Sequence, residues 1–262
     1  MKTRFLIAFL TAILTVPAFA QSTETSKFVQ KRDDFKAMLD SGKEDWYNNP
    51  KEKEWFKNYQ TNIFSVLDAI EIMPEWRLDI IDLPDTEGRG RLFDERYICV
   101  ENVNSGKEFY DLYGYLNFLS YIRLKSISVE SCWQLFLLYC MLPPYWRDYR
   151  EEDSDLILTE EDRKQILKYI KVIPDSLIDN EEDVIGGLSE TNYRLLKDYK
   201  IKPVRVDVNE LKRTAEITLC TWNDWVGLTE KKFSITIKDD NTALVENIDY
   251  KIIVKYDSGI ID

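Results

Sequence analysis

The hydrophobic and polar positions change period along the chain. Between Asn49-Pro50 and Pro74 the apolar residues Phe56, Tyr59, Ile63, Val66 and Ile70 recur every three or four positions. That spacing lays one apolar stripe on a helix, with Asn as cap and Pro in the first helical position. A shorter helix is predicted over Phe28 to Leu39, broken at Ser41-Gly42-Lys43. From Lys107 to Leu142 the pattern again reads as helical, first with Phe109, Leu112, Tyr113, Leu116 and Leu119 on one face. A second helix from about Val129, apolar nearly all round, belongs in a core and is stopped by Pro143-Pro144. Thr159 with Asp162 three on resembles a capping box, opening a helix with Ile166, Leu167 and Ile170 that Pro174 closes. Ser189 caps a short helix holding Leu195, Leu196 and Tyr199. Only Arg77 to Leu83 and Glu95 to Val103 read as extended in this part of the chain.

After Pro203 the period becomes 2. Val204, Val206 and Val208 alternate with polar residues, as do Ala215, Ile217 and Leu219, then Phe233, Ile235 and Ile237. Asp239-Asp240-Asn241 is a turn, and Ala243 to Tyr256 completes the set. The expected fold class is α+β: a largely helical N-terminal two-thirds packed on a C-terminal antiparallel β-meander with one wet face. Residues 21–262 are taken as a single composite α+β domain, because a 60-residue sheet with one apolar face needs the helices as cover. The alternative subdivides it into a mainly helical 21–202 and a sheet over 203–262.

The first 20 residues stand apart. Lys2 and Arg4 precede an apolar run of 12 residues, Phe5 to Val16, and Pro17 leads to Ala18-Phe19-Ala20. This is the layout of a secretory signal peptide cut after Ala20, and it predicts a secreted or periplasmic chain. A membrane anchor needs about 20 apolar residues. After leader removal no transmembrane segment is predicted, since the most apolar internal run, Cys132 to Leu142, has helix-core length only.

Composition narrows the chemistry. The 262 residues include no histidine. Ser-His-Asp and Cys-His catalysis and His-based zinc sites are therefore excluded, and catalysis would fall to carboxylates, Tyr, Lys or Ser-Lys pairs. Losing Lys2 and Arg4 with the leader leaves 33 basic residues against 47 acidic ones. Such a surface repels phosphate backbones, so no nucleic-acid partner is expected. Arg89, Arg91 and Arg96 are interleaved with acids and read as a solvated loop. An acidic surface favours solubility, and a basic protein or a cation as partner.

Export permits disulfides among Cys99, Cys132, Cys140 and Cys220. If Cys132 and Cys140 share a helix, their Cα atoms stand about 12 Å apart, beyond the roughly 7 Å a disulfide spans. That pairing is disfavoured; plain buried thiols are the competing reading. No metal site and no cofactor are predicted. The acidic runs Glu151 to Asp155 and Glu181 to Asp183 lack the spacing and glycine of an EF-hand. No P-loop and no GxGxxG occurs, and acids are too abundant for any pair to mark a glycosidase.

Two aromatic clusters are the binding candidates. Trp222-Asn223-Asp224-Trp225 lies between two predicted strands, where flat rings beside an amide and a carboxylate suit a sugar or a partner's side chains. Tyr145-Trp146, after the Pro-Pro stop, has the composition of interface patches. In both places the competing role is core packing. The reading that follows is an exported, non-catalytic binding protein for a protein or carbohydrate ligand, in one version a neutralising partner of a basic protein. The alternative is a carboxylate-dependent glycan hydrolase of the cell envelope.

Overall fold

The computed structural model describes residues 24–41, 53–83, 95–109, 118–142, 155–178, 186–224 and 226–256. Helix α1 covers 24–41 and α2 covers Lys53–Val66, followed by strands β1 (Ile70–Ile72), β2 (Trp76–Leu83), β3 (Glu95–Asn102) and β4 (Lys107–Phe109). A 3₁₀ turn, Phe118–Tyr121, leads into β5 (Ile122–Leu124) and then α3 (Val129–Met141). Next come β6 (Asp155–Ile157), α4 (Glu160–Tyr169), β7 (Val172–Ile173), β8 (Leu188–Ser189) and α5 (Glu190–Asp198). The chain then runs through β9 (Arg205–Asn209), β10 (Thr214–Asn223), β11 (Gly227–Ile237) and β12 (Ala243–Lys255).

The five-stranded antiparallel sheet is organised around β10. One edge of β10 pairs with β11 along its whole length, Thr214 opposite Thr236 through Asn223 opposite Gly227. Its other edge is shared end to end: β9 takes Thr214 to Thr218, and β6 takes Cys220 to Trp222. β12 extends the sheet beyond β11.

Alternation puts Ala215, Ile217 and Leu219 of β10 and Phe233, Ile235 and Ile237 of β11 on one face, where all are buried. Helix α3 covers that face. Its residues Ser131 to Leu138 are all buried, and Phe136 meets Phe233 edge-on at 4.8 Å. α1 lies against α3: Phe28 packs on Trp133 at 5.2 Å, and the Trp133 Nε1 donates to the Phe28 carbonyl at 3.2 Å. Ile63, Leu67, Ile70, Val100 and Ile122 join the same cluster, so residues on both sides of position 203 share one core.

The opposite face is wet only in part. At the Trp222 end, Cys220, Trp222, Leu228 and Val254 form a second cluster with Ile166 and Ile170, from α4 and the residue after it, and Leu196 of α5. Thr159 accepts from the Asp162 N–H and the Asp162 carboxylate accepts from the Thr159 N–H, the reciprocal cap that the Thr-x-x-Asp spacing predicts. Ser189 caps α5 by accepting from the Asn192 N–H at 3.0 Å.

The expected fold needs correction. The N-terminal two-thirds is not largely helical: eight of the strands, β1 to β8, precede residue 203. β2, β3 and β4 form their own antiparallel sheet, β1 pairs with β5, and β7 pairs in parallel with β8. The fold is a mixed α+β with its large antiparallel sheet toward the C-terminus. Of the two helices expected over 107–142, the second is present as α3, whereas the first gives way to a strand, β4, closed onto β3 by the Asn104-Ser105-Gly106 turn. Gly106 there holds a φ of +63°, and the Asn102 Oδ1 accepts from both the Asn104 and Ser105 N–H groups at 3.1 Å. The meander is also interrupted, because β6 arrives from 60 residues upstream to complete the edge of β10. Among the described residues, no helix is long and apolar enough to cross a membrane.

Candidate functional site

Among the described residues, the end of the sheet where β10 turns into β11 brings Asp155, Tyr169 and Asp224 into one electrostatic neighbourhood. The turn is built locally. Asn223 is buried, and its side-chain oxygen accepts from the Val226 N–H at 3.1 Å. Gly227 has a φ of +95°, and a Cβ there would stand 2.1 Å from the Val254 carbonyl oxygen. Only glycine allows β12 to come this close.

Trp222 points inward from this turn. It is 2 % exposed, its ring lies 5.2 Å from that of Tyr256, and its Nε1 donates to the Asp224 Oδ1 at 2.7 Å. The indole thereby supports the sheet end and fixes the carboxylate of Asp224, which stays exposed. Its faces are taken by the protein, so it is not displayed for stacking on a sugar.

Pairing of β6 sets Asp155 directly opposite Trp222. Burial of its carboxyl raises the Asp155 pKa; Lys36 works against that rise, while the negative charges of Asp224 and Asp162 add to it. The residue keeps an exposed edge all the same. Tyr169, the last residue of α4, is 57 % exposed. Its hydroxyl pKa is raised by burial first, then by Asp224 and Asp155, with the Trp222 indole opposing. Asp155 and Tyr169 thus both lie within the field of Asp224, which the Trp222 indole holds in place.

A second set of charges braces the site from behind. Arg32 of α1 reaches the Leu156 carbonyl at 2.9 Å and the Asp162 Oδ2 at 2.8 Å. Burial works against the ionised Asp162, but its hydrogen bond and charge pairing with Arg32, with the Thr159 hydroxyl, hold its carboxyl below the usual range. Helix α1 is thereby tied to β6 and to the start of α4.

Of the other candidates, Trp225, Tyr145 and Trp146 lie outside the described residues, as do Glu151 to Ser154 and Glu181 to Asp183. Cys99 sits in β3 opposite Asp79, its side chain also outside them. Cys132 and Cys220 are buried thiols outside any disulfide, and burial pushes Cys132 up to about 12. Cys140, on the same helix as Cys132, is half-buried. No group of three or more His, Cys, Asp or Glu among the described residues is placed to hold a metal ion.

Sequence reasoning missed Asp155, Tyr169 and Tyr256. Asp155 was absorbed into an acidic run; the signal was the apolar Leu156-Ile157-Leu158 after it, long enough for a short strand. No family model, curated protein or solved structure matches this chain.

Proposed function

We propose that the chain is an exported, non-catalytic binding protein that receives a cationic group of a protein partner at the Asp155–Asp224 end of its sheet. The observation that carries this reading is the placement of Asp155 opposite Trp222, whose indole holds the exposed carboxylate of Asp224: burial first, and then the charge of Asp224, raise the Asp155 pKa in spite of Lys36 and Arg32. A lysine or arginine from outside would favour the ionised form of Asp155, and Tyr169, 57 % exposed and within electrostatic reach of both carboxylates, lies at the same end of the sheet. The excess of acidic over basic residues supports a basic partner and speeds encounter with one. The leader-like first 20 residues support a role outside the cytoplasm.

A second reading has a specific observation in its favour. A carboxyl with a raised pKa beside another carboxylate is also what a carboxylate-dependent glycan hydrolase requires. One comparison separates the two. The immobilised mature chain and its Asp155→Asn/Asp224→Asn form are exposed to the soluble envelope fraction of the native host. Retention of a basic protein by the first and not by the second supports binding; equal retention by both defeats it. Turnover of an oligosaccharide panel, lost in Asp155→Asn alone, would establish the hydrolase instead. Trp222→Ala is unsuited to either question, because it removes a buried support of the sheet end and not a displayed side chain.

A further inference from the structure

The two edges of the large sheet are built differently. At the β9 edge the strand has five residues, and its outward positions Arg205, Asp207 and Asn209 are polar and exposed. Such an edge is protected against pairing. β12 is 13 residues long, and among the described residues no strand pairs with the outer edge of its residues 246–252. Every one of those seven residues is exposed, including Ile248 at 48 %, Tyr250 at 61 % and Ile252 at 44 %. This edge is longer than that of β9, and its exposed apolar residues Ile248, Tyr250 and Ile252 alternate with the opposite charges Asp249 and Lys251, which suits a partner of matching charge pattern.

We propose that this partner is a second copy of this chain, pairing antiparallel through the same edge about a two-fold axis at Tyr250. The sequence Ile248-Asp249-Tyr250-Lys251-Ile252 is complementary to itself when reversed. Centred on Tyr250, Asp249 stands opposite Lys251 of the second copy, and Ile248, the bulged residue with no partner on β11, lies just beyond this pair on the side of the copy's Ile252. The charge pattern extends further. Within one chain Asp249 is opposite Lys232 and Lys251 is opposite Glu230. Across the four central strands of the pair the order becomes Lys232, Asp249, Lys251 of the copy, Glu230 of the copy: alternating signs on one face. On the other face, alternation places Tyr250 beside its counterpart.

The bulges limit the contact. β12 departs from regular register at Lys232/Phe233 and at Leu228/Thr229, so the straight ladder is confined to Asp249 through Ile252. Self-pairing consumes the β12 edge of both copies and leaves outside, in the large sheet, the edge that β9 and β6 share. The contact is isologous and closes as a dimer instead of growing into a fibre.

The test is the mass of the purified chain in solution, followed over a dilution series from about 100 μM. The wild type is expected to be dimeric at the top of the series. Lys251→Glu sets like charges opposite one another across the axis and should weaken the dimer at least tenfold. Asp249→Lys combined with Lys251→Glu restores the pairing across the axis, and with Lys232→Glu and Glu230→Lys added to keep the pairs within each chain it should restore the dimer. Register is read separately by Tyr250→Cys. Residues opposite one another on antiparallel strands have Cα atoms about 4.5–5.5 Å apart, within disulfide reach, so this variant should crosslink on oxidation. Glu246→Cys, which lies opposite Val254, should not. A wild type that stays monomeric at the top of the series would overturn the proposal, as would a dimer whose Tyr250→Cys form does not crosslink. So would a dimer that Lys251→Glu leaves unchanged.

Discussion

Replacing Arg32 by methionine keeps most of the side-chain volume and removes only the guanidinium. That group is 10 % exposed and its partner Asp162 22 %. It also donates to the Leu156 carbonyl, so its loss leaves a carboxylate and a backbone oxygen short of donors at once. Breaking a fully buried pair from one side costs about 3–5 kcal/mol. Asp162 retains its Thr159 partners and some water, so the loss here should be about 2–3 kcal/mol, in the range for breaking a buried network. For a chain of this size that is roughly 5–10 °C in Tm. Urea unfolding, followed by tryptophan fluorescence, measures it directly. The pH dependence tests the cause. Asp162 is held below its ordinary value of 3.8, so its share of stability is present above that value and lost as pH falls through the depressed one. The gap between wild type and Arg32→Met should therefore hold from neutral pH down to about 5 and narrow below 3.8. A gap under about 0.5 kcal/mol at neutral pH, the scatter of ordinary surface substitutions, would refute the reasoning. A gap that does not change on acidification would refute its electrostatic part.

Three further outcomes are expected. Gly227→Ala meets the Val254 carbonyl and forces a φ of +95° on a residue with a Cβ; thermal unfolding should show a loss of about 2–4 kcal/mol. Asp155→Asn removes a carboxylate whose raised pKa marks an ionised form disfavoured by the fold. It should raise Tm at pH 7, and the gain should vanish as pH falls and the wild-type carboxyl takes up its proton, which parallel scans at pH 7 and pH 4 would show. A lower Tm at pH 7 would refute it. Trp222→Phe keeps the buried ring but removes the donor to Asp224, and should cost about 1–2 kcal/mol in urea unfolding while freeing the Asp224 side chain to move.

What the sequence revealed is what is decided locally. The Thr159–Asp162 cap closes within three residues, and the alternation of Ala215, Ile217 and Leu219 needs only its own strand. What stayed hidden depends on partners far along the chain. β6 is three residues headed by an acid, and it becomes a strand because β10, 60 residues later, offers Cys220 to Trp222 as an open edge. β7 and β8 are two residues each and exist only as a pair. The direction of Trp222 followed the same logic. Cys220, Trp222 and Leu228 are apolar on the face expected to be wet, which was the trace of a second cover from α4 and α5. With that cover in place the indole is a pillar, and the carboxylates and phenol around it become the surface.

Titration of a lysine- and arginine-rich peptide into the purified chain tests the proposed binding role of that surface most directly. Asp155→Asn/Asp224→Asn should bind the peptide at least tenfold more weakly than the wild type, while a charge-matched control, Asp198→Asn/Asp239→Asn, should bind it as the wild type does. Equal affinity in all three would contradict the assignment of Asp155 and Asp224 as the place where a cationic partner is received.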